Sequence, residues 1–380
     1  MCRVVWSDSE EERSRERERE TENSMATPGS SPSPPPPEPQ LQAMHALDAQ
    51  FAALAKSHRH VRCIVKLGGA AITRKEELET VNEPVLVATT LHLKEAMGMP
   101  YTSLPMDWSR KDGSSVADLI PNCSGQNLDI PNAFVIVHGA GSYGHFQASK
   151  SGVNKGDLKN PLVKAGFVAT RISVTKLNQE VVRSLASEGI PAVGVAPFSA
   201  GWSTQNKVLK RDNVMEVRRA VDAGFVPVLH GDAVLDNTLG CTILSGDVVV
   251  RKLAQVVKPS FVVFLTNVPG VFDRSPEEPG ATLLREIVVF EDSSWTIVDP
   301  PFGVNNKSGV ETTVAAHDTT GGMSTKIAEA AAIAAMGIDV YIVEAGTPHA
   351  LEALRGHVKN LKSKKTWMGT LIRSALGRRS

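Results

Sequence analysis

Gly139, Gly141 and Gly144 leave the segment from His138 to His145 nearly bare of side chains, yet a histidine stands at each end of it. A glycine-rich turn after an apolar run lets backbone approach a partner closely, and phosphate oxygens are the commonest such partner. His145 follows the glycines, where its imidazole can donate to an anion held by the loop. His138 ends the apolar run directly and reads as a buried structural histidine. Four further places carry the same kind of chemistry. Lys66 closes another apolar run and is followed by Gly68 and Gly69, so that an ammonium and backbone N–H groups can converge on phosphate oxygens. Alone this Lys-x-Gly-Gly is a weak signal, and neither the P-loop order nor the dinucleotide fingerprint is present. Ser245, Gly246 and Asp247 precede an apolar-periodic helix, where Asp247 is either an N-cap or a carboxylate that orients lysines around a transferring phosphoryl group. Thr266 and Asn267 end a strand that turns through Pro269 and Gly270, which suits recognition of a flat base and equally suits a plain turn. Gly321 and Gly322 open a helix with Lys326 in its first turn; the helix dipole disfavours a cation there unless an anion is close.

Side chains so dispersed need a scaffold that ends many strands at one edge. Runs of Val, Ile and Phe predict strands at 61–67, 133–138, 191–197, 225–230, 261–266 and 339–344, with helices between them such as 162–187 and 323–337. Near-continuous apolar strands alternating with helices predict a mostly parallel sheet covered on both faces, with ligands at the carboxyl ends of the strands. The stretch 234–240 reads as a hairpin turn. Residues 94–131, rich in Pro, Gly, Ser and Asp, interrupt the alternation as an insertion, a lid or a disordered loop. Residues 1–58 form a disordered or partly helical tail: a charge-alternating run, a proline-rich stretch at 25–39 and a helical pattern from about 40 to 57. Met25 is a second possible start. The catalytic domain is expected over 59–380.

Composition limits the function classes. With 380 residues, 42% of them hydrophobic, the chain can bury a real core. Lys and Arg together number 41, as do Asp and Glu, so no net field draws the chain to nucleic acid or an anionic membrane. Four cysteines without paired spacing fit a reducing compartment, hence a cytoplasmic protein, and argue against disulfides or a zinc site. No apolar run approaches the ~18 residues of a membrane span.

In their order along the chain, Lys-Leu-Gly-Gly, His-Gly-Ala-Gly-Ser, Ser-Gly-Asp, Thr-Asn-Val-Pro-Gly-Val-Phe and Gly-Gly-Met-x-x-Lys resemble the amino acid kinase superfamily over 61–380, and Trp367–Arg373 resembles its last strand. The glycine-then-histidine ending at Gly144-His145 resembles the isopentenyl phosphate kinases; members acting on glutamate, acetylglutamate, aspartate or nucleotides generally lack it. The resemblance implies a three-layer α/β/α sandwich with a mostly parallel open sheet. It also implies ATP with Mg²⁺, a homodimer, and conversion of isopentenyl phosphate to the diphosphate, with dimethylallyl phosphate as a related acceptor. It assigns Lys66, Leu67, Gly68, Gly69, Ala70, Gly141, Thr266, Asn267, Gly322 and Lys326 to ATP. Ala140, Gly141, Ser142, Gly144, His145 and Gly246 fall to the acceptor. The catalytic set is Lys66, Lys75, His145, Asp247 and Lys326, with no side chain assigned as a direct metal ligand. Lys75 matches a lysine placed to stabilise the transition state and otherwise reads as a solvated lysine at a helix start. Ala140 stands where glycine is more usual. The 94–131 stretch and the tail find no counterpart in the compact microbial members. The rival readings are a related enzyme acting on another small phosphate, phosphonate or carboxylate, and a non-catalytic nucleotide or metabolite sensor.

Overall fold

The computed structural model of the chain describes residues 58–100, 105–107, 130–290, 294–300, 322–358 and 366–375, the side chains of 322–326 excepted. The expected tail up to residue 57 and most of the 94–131 stretch lie outside the described residues. The chain divides after His58, and every described element belongs to the unit Arg59–Ser380.

In chain order the elements are β1 (Val61–Leu67), α1 (Gly69–Ile72), α2 (Glu83–Ala96), β2 (Ala133–His138), α3 (His145–Ser151), α4 (Pro161–Ser187), β3 (Ala192–Gly194), β4 (Ser203–Gln205), β5 (Val208–Arg211), α5 (Val214–Asp222), β6 (Val226–His230), β7 (Asp232–Asp236), β8 (Gly240–Leu244), α6 (Gly246–Val257), β9 (Phe261–Thr266), β10 (Val271–Phe272), β11 (Leu283–Leu284), β12 (Glu286–Val289), β13 (Trp295–Asp299), α7 (Gly322–Ala335), β14 (Asp339–Glu344), α8 (Pro348–Leu354) and β15 (Thr370–Ser374). The main sheet runs β13-β12-β15-β14-β9-β1-β2-β6-β3. Its middle, β14 through β3, is parallel throughout, and the antiparallel pairs are β14 with β15 and β12 with β13. This is the expected mostly parallel sheet, and four of the six predicted strands have the predicted bounds. The strand expected at 191–197 pairs only over Ala192–Gly194, because it is an edge strand enclosed by Pro191 and Pro197.

Strands buried on both faces still alternate, and the alternation decides which helices each residue meets. Cys63, Val65 and Leu67 of β1 and Phe134 and Ile136 of β2 pack into one core with Leu93 of α2, Leu177 and Val181 of α4 and Leu354 of α8. Ile64, Val135, Val137 and Phe264 face the other way, into a second core with Val217 of α5, Val250 and Leu253 of α6 and Ile333 of α7. Two cores on the two faces of one sheet make the three-layer sandwich. Full burial of one such aliphatic side chain contributes roughly 1.5–3 kcal/mol, so both faces are strongly specified. Lys66 shares the face of Ile64, toward α6. His138 and His230 share the face of Phe134, toward α4.

The smaller sheet, β5-β4-β7-β8, contains the expected hairpin. Asp236 organises its turn, accepting from the N–H groups of Asn206, Lys207, Thr238 and Leu239 and from the Thr204 hydroxyl. Burial raises its carboxyl pKa, but these donors win and hold it well below the usual carboxylate range.

The interruption expected at 94–131 is narrower at both ends. Leu86, Leu93 and Ala96 continue one helical stripe, so α2 runs through Ala96, and Met97, Met99 and Ile130 are buried in the first core. The main chain at Met106 donates to Ala186 O of α4, 2.7 Å away, while 101–104 and 108–129 lie outside the described residues.

Candidate active site

The carboxyl ends of β9, β1, β2 and β6 lie side by side, and the turns that leave them are bound to one another through main chain. Gly68 N donates to Leu265 O at 2.7 Å, Gly139 N to Leu67 O at 2.8 Å and Gly231 N to His138 O at 3.1 Å. The glycines are needed for this contact before any ligand is considered. A Cβ on Gly69 would stand 2.2 Å from Gly141 N, and one on Gly139 2.8 Å from Gly69 N. Gly141 itself has φ +57°, and its Cβ would meet the Thr73 hydroxyl at 2.1 Å. The two loops assigned to ATP and to the acceptor therefore touch backbone to backbone.

Lys66 crosses beneath them. Its ammonium lies 2.5 Å from Asp247 Oδ1, with the two side chains 5% and 11% exposed. Period-two alternation turns Lys66 toward α6, and Gly246 gives its stem room, since a Cβ there would lie 3.0 Å from Lys66 Cε and 3.2 Å from His138 O. Ser245 is the N-cap of α6, its Oγ accepting from Asp247 N at 3.2 Å. The capping alternative for Asp247 is thereby replaced: with the cap supplied by Ser245, the Asp247 carboxylate is left to hold Lys66. Its place in the first turn also suits the helix dipole.

The loop Ala140–Gly144 is anchored on both flanks. Ser142 N donates to Thr73 Oγ1 at 3.0 Å, and Gly144 N to Ser173 Oγ of α4 at 2.8 Å. Gly144 has φ +72°, and a Cβ on it would meet Val174 at 2.5 Å. The N–H groups of Ser142 and Gly144 are thus occupied, whereas those of Ala140 and Gly141 meet no acceptor among the described residues. His145 follows as the first residue of α3, exposed, with its own N–H on Tyr143 O. Lys75 is exposed in a turn and not at a helix start. That turn is stitched to the Ala140–Gly144 loop by the Ser142–Thr73 bond and by Glu79 N to Ser142 O at 3.4 Å.

Leu67 is a core side chain whose carbonyl is taken by Gly139. Thr266 is buried, and its hydroxyl donates within the turn to Val268 O at 2.7 Å, while Asn267 beside it is exposed. Ala70 is half-exposed in α1. Gly322 begins α7 as expected; Gly321 and the side chain of Lys326 lie outside the described residues.

The sequence reading did not single out Thr73, Ser173, Asn178, His230 or Asp232. Asp232 is buried, accepting from Phe198 N at 3.0 Å and facing Arg171 Nε at 3.3 Å; burial raises its pKa against His230, the Phe198 N–H and Arg171. Arg171 in turn stacks on Phe198, 4.3 Å from its ring centroid. The one signal present was a repeated His-Gly at two strand ends, 138–139 and 230–231.

Among the described residues no three His, Cys, Asp or Glu side chains come together as a metal cage. What the described site offers is the Lys66 ammonium, held by the Asp247 carboxylate, and glycine-loop N–H groups; the ammonium and the N–H groups are donors suited to a phosphoryl group.

The amino acid kinase family model matches residues 61–344. An isopentenyl phosphate kinase of Arabidopsis thaliana is 55% identical over 321 residues, covering 83% of this chain and 96% of that protein. One from Methanothermobacter thermautotrophicus is 31% identical over 297 residues, covering 76% of this chain and 93% of its own length. Among solved structures, an isopentenyl phosphate kinase superposes with a TM-score of 0.57 at 25% identity, covering 82% of this chain and 99% of that one. The chain belongs to the amino acid kinase family and, within it, to the isopentenyl phosphate kinases.

Proposed function

We propose that the chain transfers the γ-phosphoryl group of ATP to isopentenyl phosphate, giving isopentenyl diphosphate and ADP for isoprenoid synthesis. The observation that carries this reading is the buried Lys66–Asp247 pair at the junction of two glycine loops, one of which ends in His145. An alcohol acceptor would need a base to take its proton. A phosphate monoester has a second pKa of about 6, so at neutral pH it is mostly a dianion and already nucleophilic. An acceptor oxygen attacks the γ-phosphorus while the bond to the β–γ bridging oxygen breaks and ADP departs. The chain's task is to relieve repulsion between two anions and hold them in line. Lys66 supplies charge at the loop junction, Asp247 fixes its ammonium, and the free N–H groups of Ala140 and Gly141 with His145 hold the acceptor. Lys75 and Lys326 complete the cationic set.

Mg²⁺ would be held chiefly by the ATP phosphates, with Asp247, whose Oδ1 holds Lys66, as the one carboxylate at the loop junction. When bound, the ion neutralises charge on the ATP phosphates. We take the active form to be a homodimer, which light scattering of the purified protein tests. Among the described residues no helix is long and apolar enough to cross a membrane. We place the chain in the cytoplasm, a reading that the free, buried thiols of Cys63 and Cys241 support.

Coupled ADP release should be strong with isopentenyl phosphate, measurable with dimethylallyl phosphate and absent with glutamate. Turnover of glutamate alone would overturn the acceptor assignment; no turnover with any acceptor would favour the sensor. Asp247→Asn should lower kcat without creating a new pH dependence near neutrality, because the residue orients a cation and takes no proton. Steep recovery of its activity with rising pH would mean general-base chemistry instead.

A further inference from the structure

His138 and His230 end β2 and β6, which run parallel and in register, so the two histidines are direct neighbours. Their rings stack with centroids 5.4 Å apart and 28° between planes, and both are fully buried. Each does the same thing: its Nδ1 lies 2.9 Å from the carbonyl oxygen of the glycine that follows, Gly139 or Gly231. A carbonyl only accepts, so each Nδ1 carries the proton. For His138 a third residue enforces that tautomer. Asn178 Nδ2 donates to His138 Nε2 at 3.1 Å and to Val228 O at 3.0 Å, which makes Nε2 the lone-pair nitrogen. Burial, the second ring and Lys66 keep His138 neutral, its pKa pushed down to about 3.

The consequence reaches the acceptor loop through one peptide plane. In a trans peptide the N–H points opposite to the C=O. With Gly139 O held toward the His138 ring, the Ala140 N–H points away from it, and no described acceptor takes that N–H. The same glycine lies close against the loop assigned to ATP, since a Cβ on it would stand 2.8 Å from Gly69 N.

We infer that His138, fixed by Asn178 and stacked on His230, is a positioning residue: its Nδ1–H holds the Gly139 carbonyl so that the Ala140 N–H stays presented to the acceptor's phosphate. This rests on the acceptor reading above. The two amide substitutions separate the role from packing, since Asn places its N–H where Nδ1 stood, Gln reaches only toward Nε2, and both abolish the ring stack. His138→Gln should raise the KM for isopentenyl phosphate about tenfold and leave the KM for ATP within about twofold, whereas His138→Asn should stay within about threefold of wild type, as befits one hydrogen bond. Equal losses in the two variants would reduce His138 to packing and overturn the inference. Should neither variant fold, ring-¹⁵N spectra of the wild type decide: His138 should be the Nδ1–H tautomer and the Ala140 amide should shift on adding isopentenyl phosphate. The other tautomer or an unmoved amide overturns it. Wild type that does not turn over isopentenyl phosphate removes the acceptor reading and this inference together; normal wild-type turnover with an unimpaired Gln variant removes this inference alone.

Discussion

Lys66→Ala should lose turnover by about 10²–10³-fold, the loss seen when one preorganised charge-stabilising donor is removed from a dry site. The variant should also be less stable. Asp247 would remain buried at the strand ends without its cation, and breaking a buried pair from one side costs about 3–5 kcal/mol. The two effects separate in the double variant Lys66→Ala with Asp247→Asn. Neutralising the stranded carboxylate should restore most of the melting temperature while turnover stays low. If the double variant recovers both, Lys66 serves the fold and not the reaction. If Lys66→Ala alone keeps near-wild-type kcat, the ammonium has no part in phosphoryl transfer.

His145→Ala should raise the KM for isopentenyl phosphate and cut turnover, with the KM for ATP changing far less. A charge-assisted hydrogen bond is worth about 1.5–3 kcal/mol, so kcat/KM for the acceptor should fall by roughly one to two orders of magnitude. His145→Asn or His145→Gln keeps a donor and should recover part of the loss. Stability should hardly move, because the ring is exposed at the start of α3 and the loop is fixed by Ser142–Thr73 and Gly144–Ser173 instead. The isoprenyl chain is expected to lie against α4, whose Ser173 and Val174 back this loop. Normal acceptor KM in the Ala variant would move the phosphate site elsewhere.

Much of the scaffold was readable because its signals are local. β1, β2, β9 and β14 are runs of β-branched and aromatic residues ended by a turn residue, and such runs specify a strand wherever they sit. The two- to five-residue strands β4, β5 and β10 to β13 escaped detection: so short a segment carries almost no period-two pattern, and its partner decides whether it pairs at all. The start of the interruption was placed too early because Gly98 and Pro100 mask a helical stripe that Leu93, Ala96 and Met97 continue into the core.

For the site, sequence alone determined the residue types and their strand-end positions, since both follow from local runs of apolar residues and the turn residues that end them. Their pairing was decided only by tertiary structure. Lys66 meets Asp247 across 181 positions because β1 is flanked by β9 and β2 and covered by α6 on the face to which period two turns Lys66. His138 meets His230 because β2 and β6 are neighbours in register, and meets Asn178 because α4 covers the opposite face. The glycines looked like ligand contacts and are first of all what lets two loops, some 70 residues apart, lie backbone to backbone. Strand order and helix placement arise from how two hydrophobic faces are covered at once, a property of the whole chain that no single stretch of residues encodes.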